Sequence, residues 1–164
     1  MNRTNGLRNN SDTEENITQM AMTMKKTALI TGATSGIGEA CARKFAAGGY
    51  NLIITGRRAD RLEEIKTTLE AMGAEVVTLA FDVRDAEAAT KAIASLGEGW
   101  QEIDVLINNA GLALGLDKEY EGDPTDWNTM IDTNIKGLLT MTRLVVPGMV
   151  ARNRGHVINI GSVA

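Results

Sequence analysis

A chain of 164 residues with 43% hydrophobic residues is long enough to bury the core of one compact domain. Its net charge of −4, with acidic and basic residues interspersed, offers neither a broad basic face for nucleic acid nor a polybasic anchor for a membrane. With Cys41 as its single cysteine the chain forms no internal disulfide, and with a single histidine a Cys/His metal site is implausible. We therefore expect a cytoplasmic protein with no metal site and no nucleic-acid or membrane partner.

The chain divides into a polar beginning and one domain. Residues 1–24 are rich in Asn, Thr, Ser and Glu and lack apolar periodicity, so we expect a disordered leader there. Residues 25–164 contain no linker, repeat or low-complexity segment and are predicted to form a single domain. The longest apolar stretch is interrupted by Arg143 and Pro147, which argues against a membrane span.

Short β-type runs alternate with amphipathic stretches from residue 25 onward. Runs rich in Val, Ile and Leu predict strands over Thr27–Thr31, Asn51–Thr55, Glu75–Phe81, Ile103–Ile107 and His156–Ile160, the last with the pattern of a buried strand. The intervening patterns predict helices over Gly36–Gly48, Asp60–Met72, Asp85–Ser95 and about Thr125 to Arg152. Such alternation predicts a parallel sheet covered on both faces, with the doubly wound α/β sheet of Rossmann type as the leading topology.

The first predicted strand runs into a glycine-rich turn, Thr31-Gly32-Ala33-Thr34-Ser35-Gly36-Ile37-Gly38. Glycines at these spacings permit a tight turn and close approach of the backbone to a pyrophosphate, toward which the N–H groups of the helix start would point. The turn therefore predicts a dinucleotide phosphate site formed by Gly32, Ser35, Gly36, Ile37 and Gly38. A strand–helix turn that is glycine-rich for structural reasons alone is the alternative.

Two motifs together resemble a known family. The glycine turn matches TGxxxGIG, and Asn108-Asn109-Ala110-Gly111 after the fourth predicted strand matches NNAG, both signatures of classical short-chain dehydrogenases/reductases. The resemblance covers residues 26–164 and implies a nicotinamide-dependent oxidoreductase, with Asn109, Ala110 and Gly111 against the nicotinamide ribose. Asparagine side chains that bridge neighbouring strands are the structural alternative. Longer stretches such as NNAGLALG and DWNTMIDTN look like bacterial NADP-dependent 3-hydroxy acid dehydrogenases, which oxidise serine-like substrates.

The end of the second predicted strand bears on the choice between NAD and NADP. A carboxylate at this point of the fold binds the free 2′-OH of NAD, whereas this chain has Arg57 and Arg58 there. Two guanidinium groups suit the 2′-phosphate of NADP, and solvated surface charges are the alternative, more so for Arg58. Asp60 comes too late for the ribose and is expected to cap the next helix, with Glu63 completing a capping box.

The third predicted strand is followed by a second possible cofactor contact. By resemblance, Asp82 and Val83 flank the adenine. Capping of the next helix by Asp82 or Asp85 is an equally good physical reason for a carboxylate here, and the two roles are compatible.

Hydride transfer to a carbonyl carbon also requires a proton at the substrate oxygen and a donor that stabilises its developing charge. The resemblance implies that Ser162 is this donor and that Asn134, on the long helix, holds a water. A turn or cap residue is the alternative for Ser162, and a local backbone hydrogen bonder for Asn134.

The family also uses a Tyr-x-x-x-Lys pair after the serine. This sequence has none, since Tyr50 and Tyr120 are followed four residues later by Ile54 and Pro124. We therefore expect a chain truncated within its active site, a sheet incomplete at its C-terminal side, and no activity of residues 1–164 alone. The resemblance implies a homo-oligomer at full length. A non-catalytic NADP-binding module, or a protein acting only through protein contacts, is the alternative.

Overall fold

The computed structural model describes residues 25–115 and 117–162, and the expected leader lies outside them. Five strands alternate with helices. The strands are β1 (Thr27–Ile30), β2 (Asn51–Gly56), β3 (Val76–Ala80), β4 (Ile103–Asn108) and β5 (His156–Asn159). The helices are α1 (Gly36–Ala47), α2 (Ala59–Ala71), α3 (Ala86–Ala94), α4 (Pro124–Ile131) and α5 (Leu138–Ala151). A 3₁₀ turn, Glu119–Glu121, precedes α4, and a π-helical segment, Asp132–Gly137, joins α4 to α5.

The five strands form one parallel sheet in the order β3-β2-β1-β4-β5. The strand order reverses between β1 and β4, so the connections leave the sheet in opposite directions at this point and open a crevice at the carboxyl ends of the strands. Ile30 pairs with Ile54 on one side and with Ile107 on the other, which aligns the ends of the three central strands. The predicted doubly wound α/β fold is confirmed.

Two apolar layers hold helices on the two faces of the sheet. Alternate residues of β1 point to opposite faces, with Ala28 and Ile30 in one cluster and Leu29 in the other. The first cluster contains Ala42 of α1 together with Leu62, Ile65 and Leu69 of α2. The second contains Ala89 of α3 together with Met141, Val145 and Met149 of α5. Both faces of the central strands are therefore buried, which explains their nearly continuous apolar sequence.

The expectation of a buried fifth strand is wrong for the residues that the structure describes. Val157 and Ile158 are half-buried, while His156, Asn159 and Ile160 are exposed. The physical reason is that β5 pairs only with β4 and lies at the edge of the sheet. An apolar run of four or five residues has the same pattern at an edge as in the centre of a sheet.

The predicted cap of the second helix is also wrong. Arg58 occupies the N-cap position of α2. Asp60 lies inside the first turn, where its negative charge stabilises the helix by interacting with the positive end of the helix dipole. Glu63 accepts a hydrogen bond from the Thr78 hydroxyl at 2.6 Å instead of closing a capping box. Helix α2 thus begins one residue before the predicted start.

Candidate functional site

A cleft of about 750 Å³ lies at the carboxyl ends of the strands, where the strand order reverses. Of the fourteen residues predicted to form the site, twelve line this cleft: Gly32, Ser35, Ile37, Arg57, Arg58, Asp82, Val83, Asn109, Ala110, Gly111, Asn134 and Ser162. The other two, Gly36 and Gly38, belong to the adjoining turn and the start of α1. The structure therefore brings residues from six separate stretches of the chain to one concave surface.

The glycine turn is shaped by contact with the strand end beside it. Gly32 has φ +66°, and a Cβ atom there would lie 2.8 Å from the Ala110 Cα. A Cβ on Gly38 would overlap both the Gly32 carbonyl oxygen and the Asn109 Nδ2. At Gly36, in contrast, a Cβ would meet no atom within 4 Å. Gly32 and Gly38 thus permit close packing within the protein, and Gly36 leaves the approach to the turn open.

Thr31 joins this turn to the end of β4. Its Oγ1 accepts hydrogen bonds at 3.0 Å from the backbone N–H groups of Asn109 and Ala110. In return, the Asn109 side-chain amide donates to the carbonyls of Thr31 and Gly32 at 3.0 and 3.1 Å. The Asn109 side chain therefore bridges the end of β4 to the turn that follows β1, as the structural alternative predicted. Thr31 was missed as a site residue, although its place as the first residue of the glycine turn was a usable signal.

The two arginines at the end of β2 differ in how they are held. Arg58 Nη2 donates to Thr34 at 3.0 Å (Oγ1) and 3.3 Å (the carbonyl), so it is fixed against the glycine turn. Thr34, which sequence reasoning missed, also packs on Gly56, where an added Cβ would lie 2.6 Å from its Cγ2. Arg57 lines the cleft, and its charge adds a small part to the lowering of the Asp82 pKa that is caused mainly by Arg84. No carboxylate occupies the end of β2, which reads Thr55-Gly56.

Asp82 and Asp85 have separate roles after β3. Asp85 caps α3, because its carboxylate accepts from the Ala88 N–H at 2.9 Å. The Asp82 carboxylate lines the cleft and is bonded to the backbone N–H and the guanidinium of Arg84 at 2.6 to 3.1 Å. These bonds hold the pKa of Asp82 below its ordinary value of 3.8. Of the two capping candidates, Asp85 therefore does the capping, and Asp82 remains a charged group of the cleft.

Asn134 lies in the π-helical segment, and its side chain is bonded to a distant part of the chain. Its Oδ1 accepts from the Leu112 N–H at 2.9 Å, and its Nδ2 donates to the Leu112 carbonyl at 2.8 Å. An added Cβ on Gly111 would lie 3.3 Å from the same Oδ1. Asn134 therefore fixes the segment that follows β4, rather than bonding locally within its own helix.

Asn108 is a buried polar residue of the cleft that sequence reasoning did not select. Its side chain donates to Thr142 Oγ1 at 3.0 Å and to Asn159 Oδ1 at 2.9 Å. Because the Thr142 hydroxyl gives its proton to the Leu138 carbonyl, it can only accept from Asn108, which fixes the amide orientation. The Asn108 Oδ1 is then a buried acceptor with no partner among the described residues.

Ser162 reaches the cleft through the end of β5. The Ile160 N–H donates to the Asn108 carbonyl at 2.9 Å, which continues the pairing with β4 just beyond the strand. Ser162 follows two residues later as an exposed residue on the cleft wall, on the same surface as Gly111 and Asn134.

The family of the chain follows from its match to known proteins. A model of the short chain dehydrogenase family matches residues 26–164. The chain belongs to the short-chain dehydrogenases. The sequence is 56% identical over 138 residues to a probable NADP-dependent dehydrogenase of Haemophilus influenzae, covering 84% of this chain and 54% of that relative. It is 54% identical over 136 residues to an NADP-dependent 3-hydroxy acid dehydrogenase of Salmonella typhi, covering 83% and 54%.

Solved short-chain dehydrogenases have the same fold. The closed form of a serine dehydrogenase complexed with NADP+ superimposes with a TM-score of 0.77 at 50% identity, over 84% of this chain and 54% of that one. The chain spans about half the length of the curated relatives it matches. In the described part of this short-chain dehydrogenase no helix is both long and apolar enough to cross a membrane. Residues 25–115 and 117–162 also contain no group of three His, Cys, Asp or Glu side chains able to hold a metal ion.

Proposed function

We propose that this short-chain dehydrogenase uses NADP to transfer hydride to or from a small hydroxy acid, a serine-like 3-hydroxy acid being the substrate class. The observation that carries the proposal is the end of β2, where Arg57 and Arg58 line the cleft and no carboxylate is present. Guanidinium groups bind phosphate oxygens through paired N–H donors, whereas a carboxylate would repel the 2′-phosphate. The names of the similar 3-hydroxy acid and serine dehydrogenases support the substrate class.

The residues of the cleft fit a dinucleotide phosphate. The space at the Gly36 Cβ position is open, and α1 begins at this residue with its N–H groups directed toward the turn. Arg58 is already held by Thr34, so part of the entropy cost of ordering its side chain is met before binding. NADP, when bound, supplies the hydride acceptor or donor; this chain's residues bind and orient it.

Ser162 and Asn134 would serve the substrate side of the cleft. The Ser162 hydroxyl lies on the cleft wall, where it would donate to the substrate oxygen and stabilise the charge that develops there. Asn134 would hold the loop at Leu112 that forms the neighbouring wall. A serine hydroxyl is a poor proton carrier, and residues 1–164 contain no Tyr-x-x-x-Lys. We therefore expect residues 1–164 alone to bind NADP weakly at best and to show no sustained turnover.

The cofactor preference is tested by titrating the protein with NADP and NAD. Each bond between a guanidinium and the 2′-phosphate contributes about 1.5–3 kcal/mol in favourable cases, so NADP should bind about ten- to a few hundredfold more tightly. Replacing Arg57 and Arg58 together by alanine should remove the preference. Arg61→Ala, on the exposed side of α2, is the matched control and should leave the ratio unchanged. Equal affinities for the two cofactors in the unmodified protein would contradict the proposal.

The chemistry is tested by spectrophotometry of hydride transfer. Residues 1–164 should show no steady turnover, and steady turnover that is lost in Ser162→Ala would show that another group carries the proton. An enzyme containing these residues together with a Tyr-x-x-x-Lys segment should oxidise small 3-hydroxy acids with NADP. Turnover restricted to steroids, sugars or acyl-carrier thioesters would argue against the substrate class.

We further propose that such an enzyme is a cytoplasmic homo-oligomer. Four apolar residues at every fourth position from α4 through the π-helical segment into α5 are exposed, namely Trp127, Ile131, Ile135 and Leu139, by 40%, 43%, 52% and 59%. A group of exposed apolar residues is typical of an interface, and a second copy would cover them with the same residues of its own chain. Leu139→Glu should therefore shift the sedimentation equilibrium toward the monomer. Met72→Glu, at an exposed apolar residue on the end of α2, should not.

A further inference from the structure

The glycine turn and the end of β2 are joined by three contacts. The Ala33 N–H donates to the Thr55 carbonyl at 3.0 Å. One residue further along each segment, Thr34 packs on Gly56, where an added Cβ would lie 2.6 Å from the Thr34 Cγ2. The Arg58 side chain forms the third contact, through the bonds of its Nη2 to Thr34. The position of Thr34 therefore determines where the tip of the Arg58 side chain lies.

Thr34 is a well-fixed support for this arginine. It is only 9% exposed although it lines the cleft, so its side chain has little room to move. The backbone of Arg58 is fixed at the other end, because this residue is the N-cap of α2 and its carbonyl accepts from the Leu62 N–H at 3.1 Å. Both ends of a long and flexible side chain are therefore held by the protein itself.

The bonds to Thr34 leave part of the Arg58 guanidinium available. An arginine guanidinium carries N–H donors on each of its nitrogens. The bonds to Thr34 come from Nη2, and no residue that the structure describes accepts from the Nε or Nη1 of Arg58. Guanidinium N–H groups form charge-assisted hydrogen bonds to phosphate oxygens. Because Arg58 lines the cleft, Thr34 can hold one nitrogen of the guanidinium while the others donate to an anion.

We propose that Thr34 is a positioning residue for NADP selectivity: its hydroxyl holds Arg58 in the orientation in which the guanidinium donates to the 2′-phosphate, and Gly56 leaves the space that Thr34 needs. The inference rests on the proposed use of NADP. An arginine side chain that moves freely must be ordered when it binds a ligand, and this ordering lowers the affinity. Without the Thr34 hydroxyl, Arg58 keeps its charge but loses this orientation. The effect of Thr34 is therefore confined to a ligand that carries the 2′-phosphate.

The experiment uses titrations of residues 1–164 followed by NMR chemical shifts, which measure the dissociation constants of NADP and NAD even where binding is weak. Thr34→Val keeps the shape of the side chain and removes the hydroxyl. Its ratio of NADP to NAD affinity should fall about two- to tenfold, as expected when binding must order one more arginine side chain. Thr34→Ser keeps the hydroxyl and should retain the ratio within about twofold. Thr67→Val removes an exposed hydroxyl of α2 and is the matched control, with an unchanged ratio.

A pair of substitutions tests the space beside Gly56. The added Cβ of Gly56→Ala would lie 2.6 Å from the Thr34 Cγ2, so Thr34 would have to shift and the ratio should fall. Thr34→Ser removes this methyl group, and the next atoms of residue 34, Oγ1 and Cβ, lie 3.6 and 3.7 Å from the added Cβ. Adding Thr34→Ser to Gly56→Ala should therefore restore the ratio. A ratio that stays low would show that the added Cβ acts on the ligand directly, and would overturn the role assigned to Gly56.

The ratio separates positioning from other roles of Thr34. Equal weakening of NADP and NAD in Thr34→Val would mean that Thr34 supports the turn in general, and an unchanged ratio would mean that its bond to Arg58 has no effect; either result overturns the inference. In an Arg58→Ala background, adding Thr34→Val should not lower the ratio further, and a further decrease would show that Thr34 acts independently of Arg58. Circular dichroism at the titration temperature establishes that each variant is folded. Failure of the proposed function is distinguishable, because the unmodified protein would then bind NADP no better than NAD.

Discussion

Gly38→Ala tests the close approach of the glycine turn to the end of β4. A Cβ on Gly38 would overlap the Gly32 carbonyl oxygen and the Asn109 Nδ2. The first is backbone, and the second is a side-chain atom already bonded to the carbonyls of Thr31 and Gly32, so neither can move without loss. Overpacking costs about 1–3 kcal/mol, and each displaced hydrogen bond adds about 0.5–1.5 kcal/mol.

The helix propensity of alanine offsets at most about 1 kcal/mol of this cost, because Gly38 lies in the first turn of α1. We therefore expect a loss of roughly 2–4 kcal/mol in the free energy of unfolding, or a melting temperature lower by roughly 5–15 °C. Thermal and urea unfolding followed by circular dichroism measure the change. Gly97→Ala is the matched control, because a Cβ at Gly97 would meet no atom within 4 Å. Equal melting temperatures for the two variants would refute the packing argument.

Three further predictions concern hydrogen bonds and charges near the cleft. Thr31→Val should lower the free energy of unfolding by about 2–4 kcal/mol, because two backbone N–H groups lose their acceptor. Thr31→Ser keeps the hydroxyl and should lower it much less. Urea unfolding of the two variants measures the difference. Asp85→Ala should cost about 1 kcal/mol through loss of the α3 cap, and Glu87→Ala on the same helix should cost less. Because the pKa of Asp82 is lowered in the folded state, its bonding to Arg84 stabilises the protein above pH 3.8 and is lost as the pH falls through the lowered value. The difference in melting temperature between the unmodified protein and Arg84→Gln should therefore shrink below pH 3.8.

The fold was predictable because apolar strand patterns alternate with amphipathic helix patterns along the whole domain. Every central strand is covered on both faces, so each appears in the sequence as an apolar run, and the predicted strands agree with the observed ones within one residue at each end. What local pattern could not supply is the neighbour of each strand. The half-exposed state of β5, for example, depends on its position at the edge of the folded sheet.

The candidate site was predictable where backbone geometry restricts the residue type. Glycines that must pack closely leave a sequence signature, and most of the predicted residues line one cleft. Thr31 and Asn108 belong to the two signatures, but their hydrogen-bonding roles could not be predicted because these depend on partners far away in the sequence. Thr31 bonds to a backbone group 78 positions later, and Asn108 to a side chain 51 positions later. A threonine or asparagine at a strand end has the same sequence appearance whether or not such a partner exists.

The role of the Asn134 side chain was ambiguous in the sequence and is defined by its contacts in the fold. Mid-helix asparagine suggested either a water-holding group or a local backbone hydrogen bonder. The structure shows a pair of bonds to Leu112, 22 positions away, that use both ends of the side-chain amide. The π-helical segment, Asp132–Gly137, has one wider turn, which leaves backbone carbonyls less regularly paired than in an α-helix. Within this segment the Asn134 side chain fixes the stretch that follows β4, and its predicted role in holding a water stays a prediction.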